Sequence, residues 1–152
     1  MYAQYKTGIG GRIGLGSSYG LNFKNFFTDR ISLEAMAFTR WEGYCFAGLI
    51  EMNQSFNKST LHTTNLGWFI GAGAHLGNYP GNSYKMDANN FYNHSGDNIM
   101  AIGVDAILGI EYEFYHAPIS LSLDVKPNYS FINPTPDILD VDFTIRYVWG
   151  RR

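Results

Sequence analysis

The sequence predicts an all-β fold: eight antiparallel strands closed into an up-and-down barrel, apolar outside and charged inside. Three observations carry this. Eight segments alternate apolar and polar residues with a period of two, which sends successive side chains to opposite faces of a strand. Charged residues keep to one phase of that alternation. No apolar run approaches the roughly 20 residues of a spanning helix.

Composition frames the reading. The chain has 152 residues, a single domain (1–152) on length. Charged residues make up 16%, against roughly 25% in an ordinary soluble domain, too few to coat a water-facing surface. The net charge of −2 gives no electrostatic call for nucleic acid. The single Cys45 has no partner for an internal disulfide.

The first segment runs from about Gln4 to Gly16. Tyr5, Thr7, Ile9, Ile13 and Leu15 share one face, and Lys6, Arg12 and four glycines the other. The second, Tyr19 to Thr28, sets Leu21, Phe23 and Phe27 against Asn22, Lys24 and Phe26. The third, Ile31 to Trp41, sets Ile31, Leu33, Ala35, Ala37 and Trp41 against Ser32, Glu34 and Arg40. The fourth, Tyr44 to Asn53, sets Phe46, Ile50 and Met52 against Cys45, Ala47 and Glu51.

After a polar stretch, Gln54 to Thr64, the fifth segment spans Asn65 to Gly77. It sets Leu66, Trp68, Ile70, Ala72, Ala74 and Leu76 against three glycines and His75. A long polar loop, about Asn78 to Asn98, leads to the sixth, Ile102 to Phe114. Its even positions are all apolar, and Asp105, Glu111 and Glu113 sit at odd ones. The seventh, Ile119 to Tyr129, sets Ile119, Leu121, Leu123 and Val125 against Ser120, Ser122, Asp124 and Lys126. Pro127 removes a ladder donor, so a bulge or bend is expected there. The eighth, Ile138 to Trp149, sets Leu139, Val141, Phe143, Ile145, Tyr147 and Trp149 against Asp140, Asp142, Thr144 and Arg146.

Of the 24 Asp, Glu, Lys and Arg residues, 14 fall on the polar faces: Lys6, Arg12, Lys24, Glu34, Arg40, Glu51, Asp105, Glu111, Glu113, Asp124, Lys126, Asp140, Asp142 and Arg146. The rest lie in turns, loops or the last two positions, and none on an apolar face. Volume decides which face is inside. An eight-stranded barrel has room only for side chains to fill it, or for one small ligand. About forty mostly large apolar side chains do not fit there, whereas a face rich in Gly, Ala and Ser does. The apolar face therefore points outward, as a bilayer requires: a cation facing lipid at the midplane costs about 2–4 kcal/mol, and closure removes unpaired edges. Aromatics near strand ends, such as Tyr5, Trp41, Tyr44, Tyr112, Phe114, Tyr147 and Trp149, suit two interfacial girdles. Unpaired charges in a narrow bore are costly, so the inward ions are expected to pair into a plug.

Four runs, Gly8–Arg12, Ile107–Tyr112, Asp124–Pro127 and Phe143–Trp149, resemble the small eight-stranded outer-membrane β-barrels of Gram-negative bacteria, the OmpX-like proteins and the OmpA transmembrane domain. The resemblance implies a porin-like barrel in the bacterial outer membrane, its export signal removed. It implies a monomer contacting the lipid bilayer and lipopolysaccharide. Phe143–Trp149 looks like the C-terminal signal read by the barrel insertion machinery, with Tyr147 and Trp149 as its aromatics. Gly150-Arg151-Arg152 follow it, a departure from a chain ending in an aromatic.

The expected function is a structural or surface-binding membrane protein acting through its outer loops, with no enzymatic activity, cofactor or metal. Tyr79, Tyr84, Tyr92 and His94 in the long loop are the binding candidates, since binding groups favour loops on rigid scaffolds. The alternatives are a narrow ion or small-solute channel and a rim lipid-modifying hydrolase. For the last, His116 and Ser120 are close in sequence, with His75 and Ser122 elsewhere on polar faces. A Ser–His pair needs hydrogen-bond reach and an orienting acid.

Overall fold

The computed structural model describes residues 5–15, 18–40, 43–56, 65–80, 98–133 and 139–150. They form eight strands: β1 (Thr7–Gly14), β2 (Tyr19–Phe26), β3 (Ile31–Arg40), β4 (Gly43–Ser55), β5 (Leu66–Pro80), β6 (Asn98–Glu113), β7 (Ile119–Ile132) and β8 (Leu139–Trp149). Each pairs antiparallel with the next, and β8 closes on β1. No helix occurs among the described residues.

The ladders fix the tilt. From Ile13 on β1, one direction leads through Tyr19 and Thr39 to Tyr44 on β4. The other leads through Phe143, Leu123, Ile110 and Trp68 to Gln54 on the same strand. Tyr44 and Gln54 stand ten residues apart, which is the stagger of the closed sheet. With ~3.3 Å per residue and ~4.8 Å between strands, that stagger tilts the strands about 40° from the barrel axis.

Burial alternates along every strand, with the charged phase inside. Ile110, Leu123 and Phe143 are 44%, 48% and 42% exposed on the outer surface, whereas Lys24, Glu34 and Arg146 are fully buried. Thirteen of the fourteen charges placed on the polar faces are buried. Lys6 is the exception. It precedes β1 and is exposed at the mouth carrying the termini. Strand parity fails there because pairing is only beginning: Lys6 donates its backbone N–H to Trp149, and β1 proper starts one residue later.

Tyr5 is displaced by the same irregularity. It does not join an outer aromatic girdle. It folds into the bore, packs edge-on against Phe26 with ring centroids 5.1 Å apart, and is buried.

The inward face also holds more apolar mass than its charges suggest. Met36, Phe38, Cys45, Ala47, Leu49, Phe69 and Ile107 form one buried cluster, and Tyr5, Phe26 and Val148 a second near the terminal end. The bore is therefore a packed core in which ion pairs and apolar layers alternate.

Two strand details differ from the sequence expectation. At Pro127 no bulge forms: Asp105–Asn128 and Leu108–Val125 keep one register on either side of it. The ladder skips Ala106 and Ile107 opposite the proline, which costs pairing without inserting a residue. The register shift lies further along, between Ile102 and Gly103, whose partners are Ile132 and Ser130. Phe131 is the extra residue.

The second detail is length. β5 and β6 stay paired out to Pro80–Asn98. Tyr79 is thus a strand residue facing inward and buried, not part of an exposed loop. A Cβ at Gly43 would collide with its ring, and one at Gly77 would come 2.6 Å from its Cε2, so both glycines make room for it. Likewise β4 runs through Gln54 to Ser55, which shortens the return predicted at Gln54–Thr64.

Candidate functional site: the charged bore

Inward positions of tilted strands project side chains into the bore, so partners come both from neighbouring strands and from strands that share no ladder. The buried ions gather into three groups.

Nearest the terminal end, Lys24 on β2 reaches Glu51 on β4 at 2.9 Å and Glu111 on β6 at 3.1 Å. Arg146 on β8 binds Glu34 on β3, and reaches Glu111 at 3.3 Å. Its remaining donors are used as well: Nη1 donates to Ser122 at 2.8 Å and Nε to Asn22 at 2.5 Å. Tyr5 donates to Glu111 at 2.7 Å, and Ser32 donates to Glu51 at 3.1 Å. The Lys24 ammonium also sits 4.3 Å from the centre of the Phe69 ring, a desolvated cation–π contact between ionic and apolar layers.

At mid-bore, Arg12 on β1 holds Asp124 on β7 at 2.7 Å and Asp142 on β8 at 2.5 Å. Towards the far end, Arg40 on β3 binds Asp140 on β8. Lys126 on β7 reaches Asp140 at 3.1 Å and Asp105 on β6 at 3.5 Å. His75 on β5 joins this group: Nδ1 lies 2.9 Å from Asp105 Oδ1 and Nε2 lies 2.8 Å from Ser130 Oγ. Glu113, buried at the terminal end of β6, completes the inward charges.

Among the described residues, five buried cations thus face eight buried carboxylates. Low-dielectric surroundings make each unpaired ion costly, and the geometry answers with cations that each bridge at least one acid, several of them two. Space is filled to match. The cavity between Phe38, Arg40, Cys45, His75, Tyr79, Lys126, Asn128 and Asp140 is about 10 Å³, room for roughly one water. A concavity of about 610 Å³ lies instead on the outside, against Ile13, Tyr19, Leu21, Tyr44, Phe46 and Phe143.

The alternation puts Asp105, Glu111, Asp124 and Lys126 on inward faces, where ions are expected to pair, and Lys126 does meet Asp105. Asp124 turns to Arg12 instead. The alternation places Asn22 inward, but it puts Tyr5 on the outer face and ends the seventh segment before Ser130. His116 and Ser120, neighbours in sequence, are not brought together. His116 is exposed on the β6–β7 turn against Tyr115, while Ser120 is fully buried. Tyr147 and Trp149 point outward from β8 with ring centroids 6.1 Å apart. Tyr84, Tyr92, His94 and Trp41 lie outside the described residues.

No protein-family model matches the sequence, and neither does any curated protein. The fold does have a solved counterpart. The N-terminal β-barrel domain of Pseudomonas aeruginosa OprF superposes with a TM-score of 0.68 at 13% identity, over 95% of this chain and 97% of that one. At that identity the likeness is one of fold alone: this chain has an eight-stranded barrel like that of the OprF N-terminal domain.

Proposed function

We propose that the chain is an integral outer-membrane β-barrel protein with a structural or surface-binding role, its bore closed by ion pairs and apolar packing. One observation carries this reading. A closed sheet puts Ile110, Leu123, Phe143 and their neighbours on the outside while thirteen charges are buried within. A protein dissolved in water has no use for that inversion, whereas a bilayer requires it. The fold shared with the OprF barrel domain supports the same setting.

In this reading the outer leaflet's lipopolysaccharide and the inner-leaflet lipids cover the apolar belt. The insertion machinery engages the Tyr147–Trp149 end during assembly, and the barrel works as a monomer. Both termini face the periplasm, and the long 81–97 connection, with Tyr84, Tyr92 and His94, faces outward to meet a ligand or partner. The filled bore supports a plug over a narrow channel, and the separation of His116 from Ser120 counts against a hydrolase at that turn.

The test is expression behind an export signal, with membrane fractionation, heat-modifiable gel migration and planar-bilayer recording. The reading expects outer-membrane recovery, a faster-migrating unheated form and no steady conductance. Detergent-free monomers in the soluble fraction would refute the membrane setting. Reproducible ion-selective steps would refute the plug alone.

A further inference from the structure

The ion pairs at the terminal end of the bore do not balance. Glu34, Glu51 and Glu111 share two cations, Lys24 and Arg146. Arg12, whose charge also acts on Glu34, already holds Asp124 and Asp142. One negative charge is therefore left over among side chains that are all buried, where an unpaired ion is very costly. The surplus falls on two oxygens. Glu34 Oε1 accepts from Asn22 and Arg146, and Glu51 Oε2 from Lys24 and Ser32. The other oxygen of each, Glu34 Oε2 and Glu51 Oε1, is buried with no donor among the described residues.

The ladder brings these two acids together. Glu51 pairs with Ser32 between β3 and β4, so Glu34, two residues on, is its diagonal neighbour on the inward face. Their carboxyls lie within hydrogen-bond reach of each other. Two carboxylates have no hydrogen to place between them, whereas a carboxylic acid and a carboxylate have one. Packing keeps the pair dry: Leu49 lies opposite Glu34 and is fully buried. A Cβ on Gly71, the β5 partner of Glu51, would come 2.8 Å from Glu51 Cγ, so glycine leaves that side chain its place. The charges facing the pair are Lys24 on β2, Arg146 on β8, Arg12 on β1, Glu111 on β6 and Asp124 on β7.

We propose that Glu34 and Glu51 bind one proton between their two free oxygens, a proton site that completes the terminal end of the bore. The proton comes from solvent as the barrel closes, because both carboxyls are ionised in an unfolded chain at neutral pH. Folding takes up one proton here. Between the pH at which a free glutamate ionises and the pH at which the pair gives its proton up, the folding constant therefore falls about tenfold for each unit of rising pH. Once the proton is lost, two like charges stand in diagonal contact with no water to screen them, so closure of this end of the bore is linked to protonation. The inference needs only the closed sheet and does not depend on the membrane setting.

The experiment uses the whole chain folded in detergent micelles, with heat-modifiable migration verifying folding in every sample. Infrared spectra at neutral pH are expected to show the C=O stretch of an un-ionised carboxylic acid in the folded protein and none in the unfolded chain, a comparison that needs no variant. The band is expected to vanish in Glu51→Gln and in Glu34→Gln, and to remain in Glu113→Gln. A glutamine amide donates an N–H where the shared proton stood, so either substitution is expected to fold. Urea titrations at neutral and mildly alkaline pH are expected to show the wild-type folding constant falling about tenfold per pH unit more steeply than that of Glu51→Gln. No acid band in the folded wild type, a band that survives both substitutions, or matching pH slopes would each overturn the proposal. So would wild-type stability that rises with sodium concentration while that of Glu51→Gln does not, which would assign the free oxygens to a metal cation.

Discussion

Arg12 and Asp124 meet across the bore from strands that share no backbone ladder, β1 and β7, with Nη2 2.7 Å from Oδ1. The same nitrogen lies 2.5 Å from Asp142 on β8. One guanidinium therefore ties three strands around the seam where the sheet closes. All three side chains are almost fully buried, so none has water to fall back on. Arg suits this place because its planar fork serves two carboxylates at once.

Removing Arg12 should cost far more than a surface pair. Arg12→Ala leaves Asp124 and Asp142 buried and uncompensated, and is expected to destabilise the barrel by about 3–5 kcal/mol. The triple variant Arg12→Met, Asp124→Asn, Asp142→Asn removes the charges together and should recover most of the loss. Urea titration of the folded barrel in lipid vesicles, followed by tryptophan emission, measures both. Equal losses in the single and triple variants would mean that packing by the Arg12 stem, not charge compensation, sets the value.

The lipid face gives an opposite, depth-graded expectation. Leu123 lies near the middle of the outer belt, whereas Leu139 begins β8 at the far end. Leu123→Arg is expected to cost about 2–4 kcal/mol in vesicles, and Leu139→Arg about 0–1 kcal/mol. The same titration reads both. Equal costs at the two depths would contradict a bilayer centred on Leu123.

How much of this was readable from the chain depends on what kind of fact it is. Phase is local: Asp140, Asp142 and Arg146 announce their face through the residues between them, and all three are buried as the alternation requires. Partnership is not local. Arg12 reaches Asp124 only because a ten-residue stagger brings β1 and β7 to matching height, and that stagger is set by eight ladders together. Ser130 was invisible for the same reason. Its link to His75 crosses β6 over Gly103 beside a register shift with no sequence signal of its own. Tyr5 and Lys6 mislead because alternation presumes pairing, and pairing begins only at Thr7. Tyr79 reads as loop because Asn78 and Pro80 look like turn residues, although the β5–β6 ladder continues through both.

Inward glycines supply a further check, since several sit where the backbone of a neighbouring strand approaches. A Cβ on Gly10 would overlap the Ile145 carbonyl, and one on Gly73 the Gly48 carbonyl. Flexible side chains yield to such contacts, but a paired backbone does not. Gly73→Val is expected to lower stability by at least about 1–3 kcal/mol or to prevent folding. Gly48→Val is the control: it faces outward with open space around its Cβ position and should fold normally. Heat-modifiable migration after refolding separates the two. A normal yield of folded Gly73→Val would show that β4 and β5 can spread apart at mid-height.

The orientation of the whole barrel reduces to two indoles. Trp149 is 43% exposed on the outer surface at the terminal end of β8, and Trp68 shares the outward phase of β5 with Ile70 and Ala72. In vesicles of brominated lipids both rings contact acyl chains, so emission should fall steeply relative to unbrominated vesicles. Trp68→Phe and Trp149→Phe, each made alone in a Trp41→Phe background, report one indole at a time. Bromines placed near the headgroups should quench more strongly than bromines near the chain ends, because both rings sit towards the terminal rim, where an interfacial girdle belongs. Acrylamide in water should quench them only weakly. Strong acrylamide quenching with little effect from bromine would place the apolar belt in water, and the inversion of inside and outside would then have no bilayer to explain it.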